Sequence, residues 1–484
     1  MSTKCGSIIF VIAIILGLVP GSQKDAIIGK PYVNVIVQKA DQSEDISGLI
    51  RALGGTIVKD LTIINAMAAQ VPVTMVPQLA TSPLVRALSL DAPVQSAGLL
   101  SAKGDGSGGM TAAMPSANTY LDTLNVRPVW AMGLRGQGIG VAVIDSGISP
   151  DPDFASIKAS VKFNGGASST NDIFGHGTHV AGILAGTGAA SAGAYSGIAP
   201  GVDLLNLKIG DDKGQATESD IVAAMQWVLA NKATYNIRVV NLSVNSTVPQ
   251  SYHVSPLSAA AEILWFNGIV VVTATGNKNA ENGFNPVLAA PANDPFIITV
   301  GASDEKGNSA RKNDSIAVFT AYDATVDGFI KPDLMAPGVN IVSVLSADSA
   351  WHTQHTTRIT ADGQYFRLSG ASMATPMVAG AVALLLQAEP HLTPDQVKYR
   401  LLHTAGKVGK GKYLDVHALI TQKTAESANI GIPASQLLWT GSEPVQWQSV
   451  NWNAINWNAV NWNAVNWNAV NWNAVNWNSI IWND

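Results

Sequence analysis

The chain has 484 residues, enough for two to four folded units. Apolar residues make up 47% and charged residues 13%; the formal charge is −5 with no basic block or stripe, which argues against a nucleic-acid partner. Cys5 is the single cysteine, so neither a disulfide framework nor a cysteine zinc site is available.

Lys4 followed by the apolar run Ile8–Val19 reads as the core of a secretory signal within residues 1–22, which predicts a secreted, extracellular protein. An uncleaved membrane anchor is the other reading of this run, although it is short for a span. Residues 29–95 then interleave strand and helix patterns. Strands are expected at 32–38, 61–71 and 85–93, with helices at 43–53 and 73–80. That alternation defines a small α+β unit. Residues 96–117 turn into Gly, Ser and Ala, with GDGSGG at 104–109, and read as a flexible linker and processing region. A compact unit followed by an exposed linker suits a piece to be cut away; an ordinary accessory domain is the alternative.

From 118 to 425 the pattern is that of a large α/β domain. Apolar runs at 140–145, 202–209, 237–244 and 269–274 read as buried parallel strands. Helical patterns lie at 176–187, 218–231, 256–266, 373–387 and 394–404. The last has a start signal in Thr393, Pro394 and Gln396. The predicted fold is three-layer α/β: a mostly parallel sheet with helices on both faces and chemistry at the carboxyl ends of its strands. Residues 426–446 read as a linker. From 447 to 484 a WNAVN pentapeptide repeats, with Trp452, Trp457, Trp462, Trp467, Trp472, Trp477 and Trp482 in strict spacing. Period five is neither strand nor helix; a small solenoid, a surface- or polymer-binding module and a cleavable tail are all physically reasonable. The function class opposed to an enzyme is a surface-association protein carried by this tail.

Three segments carry the chemistry. VIDSGI (143–148) places Asp145 at the end of a strand. GHGTHVAG (175–182) opens a helix at His176. SGASMATPMVAG (369–380) places Ser372 at a helix start, with Pro376 expected in the first turn. Serine is a weak nucleophile alone; a histidine must take its proton and a buried carboxylate must hold the imidazole. The chain order Asp, His, Ser is one of the convergent orders of such triads.

These D-S-G, H-G-T-H-V-A-G and S-M-A-T-P motifs resemble those of the subtilisin-like serine proteases over roughly 120–420. The resemblance implies an Asp145–His176–Ser372 triad and an acyl-enzyme route to peptide-bond hydrolysis, with protein or peptide substrates. It makes His179 a structural neighbour of the base. It implies that Asn277 donates to the oxyanion together with the Ser372 N–H. It puts substrate against Ser243, Val244, Asn245 and Gly276, although Val244, Asn245 and Ser246 stand where the family has glycines shortly after N-x-S. Pro291 falls where the family often has a cis-proline. Many relatives hold calcium in a loop matching 186–195. That stretch lacks Asp and Asn here, Asp153 alone resembles a ligand, and a surface-turn role for Asp153 is the expectation. No metal site and no cofactor are therefore assigned, calcium being left open. The unit at 29–95 resembles the family's ferredoxin-like propeptide, which implies that the chain's own propeptide is an inhibitory partner.

Overall fold

In the computed structural model, residues 31–41, 45–96, 98–99, 117–278 and 285–439 are described. The repeat tail, the signal segment and nearly all of the expected linker at 96–117 lie outside them.

The central sheet is built from the expected apolar runs. GVAVID forms β7 (Gly140–Asp145), buried at all of its positions. A strand covered on both faces has no polar side, which is why it reads as an unbroken run rather than an alternation. Among the described residues eight parallel strands lie in the order Gly411–Tyr413, Leu334–Pro337, Ile298–Asp304, Val270–Ala274, Ile237–Leu242, β7, Asp203–Lys208 and Ile157–Lys162. From β7 the chain goes to the edge strand Ile157–Lys162 and returns to place Asp203–Lys208 between them, then crosses to build the other side outward from Ile237–Leu242. The strand order therefore reverses between β7 and Ile237–Leu242, and a crevice opens at their carboxyl ends.

Helices cover this sheet in two packed pairs. His176–Ala185 lies against Ala371–Ala388, and Glu218–Asn231 lies against Pro256–Phe266. Pro394–Thr404 starts with the expected reciprocal cap between Thr393 and Gln396. Ala371–Ala388 begins two residues before the expected start, so Pro376 sits in the helix interior and not in its first turn.

The small unit runs β1 (Tyr32–Lys39), α1 (Ile46–Ala52), β2 (Thr56–Leu61), β3 (Ala66–Pro72), α2 (Val76–Thr81), β4 (Val85–Leu90). Its four-stranded antiparallel sheet has the order β2-β3-β1-β4. The strand expected at 61–71 is a correction: a hairpin occupies this region, because Thr62–Ile64 form a turn of 3-10 helix and Asn65 takes a left-handed φ of 51°. Alternation along β1 serves two cores. Val33, Val35 and Val37 pack with Ile46, Ile50 and Leu79 of the unit's own helices, while Ile36 joins the core of the large domain. Both faces of this sheet are thus covered.

Beyond β4, Pro93–Ser96 forms β5, which lies between Ala216–Thr217 and Val244–Ser246, antiparallel to both. Gly98–Leu99 forms β6 and pairs antiparallel with Ser369–Gly370. The stretch expected as linker after 426 is seated on the body as far as Trp439, with Ala434, Leu437, Leu438 and Trp439 buried. Its apolar side chains find a surface to cover, which composition alone does not reveal.

Candidate active site

Asp145 and His176 meet at the crevice. His176 Nδ1 lies 2.7 Å from Asp145 Oδ1, and both residues are buried. The Ser146 N–H also donates to Asp145 Oδ1 at 2.7 Å, so the carboxylate is fixed from its own backbone. The helix bearing His176 must lie almost on the D-S-G loop for this contact. Gly177 permits that approach: a Cβ there would sit 2.2 Å from Gly147 O.

Burial opposes a charged His176. The charge of Asp145, its hydrogen bond and the charge of Asp172 outweigh burial and raise the imidazole pKa above its ordinary value. His179, by contrast, is pushed down to about 3 by burial, and its Nε2 meets the Phe366 carbonyl at 2.8 Å. A neutral, committed imidazole has a packing role, as the resemblance implies.

Asp172 escapes sequence reasoning. Its Oδ1 accepts from the Gly175 N–H at 2.7 Å and from Ser146 Oγ at 2.8 Å, and its Oδ2 accepts from the Thr178 N–H at 2.7 Å. Ser146 Oγ in turn accepts from the Gly177 N–H at 2.9 Å. One carboxylate thus satisfies orphan donors at the start of the His176 helix and ties that helix to the D-S-G loop. An aspartate four residues before H-G-T-H was the only available signal. Trp351, which no motif marks, meets the His176 ring edge-on with centroids 6.1 Å apart.

Ser372 is the second residue of Ala371–Ala388 and is fully buried. Its Oγ donates to the Ser243 carbonyl at 3.1 Å. Among the described residues His176 Nε2 has no hydrogen-bond partner. Asn277 Oδ1 accepts from the Ala371 N–H at 3.0 Å, which pins the side-chain amide one residue before Ser372.

The expected substrate-binding residues gather on the same crevice. Val244, Asn245 and Ser246 pair with Ser96, Gln95 and Val94. Gly276 has φ +83°, and a Cβ there would meet Pro286 at 2.3 Å and Asn245 Nδ2 at 3.0 Å. Asn245 is buried, and neither of its amide atoms has a partner among the described residues. Ser96, Asp145, His176 and Val244 line one small cleft.

Two further expectations meet the structure here. The Ala290–Pro291 bond is cis. The surface-turn expectation for Asp153 is corrected. Asp153 is fully buried; its Oδ2 accepts from the Tyr365 hydroxyl at 2.6 Å and its Oδ1 from the Ala190 N–H at 3.0 Å. The carboxylate braces the 187–190 turn from inside.

A doubly wound α/β fold with a buried Asp–His pair and a serine at a helix start beyond the same strand ends belongs to the serine hydrolase class. The family model described as "Subtilase family" matches residues 136–430. The serine protease AprX of Bacillus subtilis (strain 168) is 36% identical over 312 residues, covering 62% of this chain and 67% of that protein. Subtilisin Savinase of Lederbergia lenta is 34% identical over 277 residues, covering 57% of this chain and 87% of that protein. Among solved structures, fervidolysin from Fervidobacterium pennivorans aligns with a TM-score of 0.63 at 22% identity. That alignment covers 82% of this chain and 61% of fervidolysin, and it shows a shared fold. The chain belongs to the subtilase family and is a serine-type endopeptidase.

Proposed function

We propose that the chain is a secreted endopeptidase made as a precursor, in which residues 31–96 occupy the substrate cleft until Ser372 cuts the connection. The roles follow from position. Asp145 holds the Nδ1–H of His176. His176 Nε2 takes the Ser372 proton as Oγ attacks the substrate carbonyl, then hands it to the leaving amine. The Ser372 N–H and the Asn277 amide stabilise the oxyanion. The resulting acyl-enzyme is released by water, with His176 again as base. For attack, the Ser372 hydroxyl must leave the Ser243 carbonyl for Nε2.

The observation that carries the precursor reading is the pairing of the residues on either side of Ala97. Ser96 pairs with Val244, next to the Ser243 that bonds Ser372, and Gly98 pairs with Gly370, two residues before Ser372. These two stretches therefore flank the nucleophile, held by main-chain bonds as an extended substrate would be. The strand-helix-strand-strand-helix-strand order of the small unit supports its reading as a ferredoxin-like inhibitory propeptide. Asn245 and Gly276 wall the pocket for the residue before the cut, and the Asn245 amide favours a small or polar side chain there.

The test is terminal sequencing of the processed enzyme. The reading predicts a new N-terminus at Ala97 or Gly98, and a Ser372→Ala chain that stays joined. A Ser372→Ala chain trimmed at the same bond would assign the cut to another protease.

A further inference from the structure

The small unit is held by the far end of the chain as well as by the cleft. Three consecutive carbonyls of the C-terminal stretch take donors from it. Arg86 Nη2 donates to Gln436 O at 2.5 Å, Gln38 Nε2 to Leu437 O at 2.8 Å, and Arg86 Nη1 to Leu438 O at 3.2 Å. Gln38 Nε2 also donates to Ile64 O at 2.8 Å, so the amide is shared between the unit's own hairpin and the C-terminal stretch. Arg86 and Gln38 stand on β4 and β1, neighbouring strands of the unit's sheet.

The same stretch is fastened to the body from its other side. Tyr252 donates its hydroxyl to Pro433 O at 2.6 Å, the Ser435 N–H donates to Glu262 Oε2 at 2.7 Å, and the Gln436 N–H donates to His253 O at 2.8 Å. Leu437 and Leu438 are buried in the core that also takes Ile36, Ile64 and Ala87 of the small unit. Residues 433–439 therefore touch both parts, and they lie beyond the residue at which the family match ends.

We propose that residues 433–439 form a strap that clamps the small unit onto the catalytic body, so that leaving the cleft requires Arg86 and Gln38 to release the strap. The physical basis is the cost of parting them. Arg86 is largely sequestered, its pKa lowered to about 10 by burial, and its guanidinium bonds to main-chain carbonyls fixed by the strap's other side. Separation breaks charge-assisted bonds made in a poorly solvated place, where they count for most. The inference rests on the precursor reading only for its consequence, which is slower activation; the clamp itself is a statement about binding.

The experiment uses the full chain carrying Ser372→Ala and a site for a sequence-specific protease inserted within 104–109. After nicking, dissociation of the N-terminal fragment is followed by size-exclusion chromatography. Arg86→Ala is expected to speed dissociation by about tenfold or more. A chain ending after Ile432 is expected to do the same, and Arg86→Ala within that shortened chain should add little. Gln38→Ala in the full-length chain gives an independent arm should the shortened chain not fold. Dissociation at the parent rate in both Arg86→Ala and Gln38→Ala overturns the clamp, as does an Arg86→Ala effect of the same size with the strap removed. A fragment that needs the strap to stay bound, yet does not slow peptide hydrolysis when retained on the enzyme with Ser372 intact, supports the clamp and overturns the inhibitor reading.

Discussion

Ser243 and Ser372 exchange hydrogen bonds: Ser372 Oγ donates to Ser243 O at 3.1 Å, and Ser243 Oγ donates to Ser372 O at 3.2 Å. The second bond answers a deficit in the helix. Pro376 has no N–H to give the carbonyl four residues before it, which is that of Ser372. The hydroxyl of Ser243, itself accepting from Asn241 Nδ2 at 3.2 Å, supplies the missing donor. Ser243→Ala should therefore leave a buried carbonyl short of a partner and lower stability by about 1–3 kcal/mol. Chemical denaturation of the Ser372→Ala background, where self-digestion is absent, measures this. Unchanged stability would show that the Ser372 carbonyl finds another donor.

Asn277→Ala should reduce kcat by about 10²–10³-fold, the magnitude established on subtilisin itself for the corresponding donor. KM should change little, because oxyanion charge develops in the transition state. Steady-state kinetics on a short peptide separate the two. A change confined to KM would make Asn277 a pocket wall only.

His176 must be neutral to accept a proton, and burial is outweighed by the charges of Asp145 and Asp172 in raising its pKa. The acid limb of kcat/KM should then lie above the ordinary histidine value of about 6.5. Asp172→Asn removes one of those charges and should move the limb downward, with a fall in kcat as the helix start loosens. A purely structural role for Asp172 would lower kcat and leave the limb in place.

The grip on the small unit should weaken as pH rises. Burial pushes Glu218 up to about 8, helped by the charge of Asp91, which belongs to the small unit and caps the Ser219 N–H at 2.8 Å. Burial also raises Asp91, against its bonds from Ser219; Asp220 and Lys59, paired at 2.8 Å, stand nearby. A carboxyl whose pKa is higher when docked favours docking below its undocked value, and that contribution is lost as pH rises through the docked value. Retention of the nicked fragment should thus be strongest in acid and fall toward pH about 8. Glu218→Gln should flatten the profile; an unchanged slope would assign the pH dependence elsewhere.

The sequence made much of this legible because several elements are locally self-sufficient. β7, Glu218–Asn231, Pro256–Phe266 and Pro394–Thr404 have the boundaries their apolar runs and caps predict. Ile298–Asp304 does not read as a buried strand, because Gly301, Ser303 and Asp304 interrupt its apolar run, although it is a central strand. Ile157–Lys162 alternates half-buried and exposed residues at the sheet edge, with lysines on its open side. The motif residues were legible by their wording. Asp172, Ser243 as a donor to the helix, and the strap were not, since each acts through backbone groups brought close only by the fold.

The most direct test of the whole account is covalent labelling of the processed enzyme with an organophosphorus serine reagent, followed by peptide mass mapping and activity assay of the same sample. The account predicts one adduct, on the peptide bearing Ser372, with peptide hydrolysis lost in proportion to labelling, and no labelling of Ser372→Ala. Full hydrolysis with Ser372 completely modified, or a Ser372→Ala enzyme that cuts casein at near the natural rate, would contradict it.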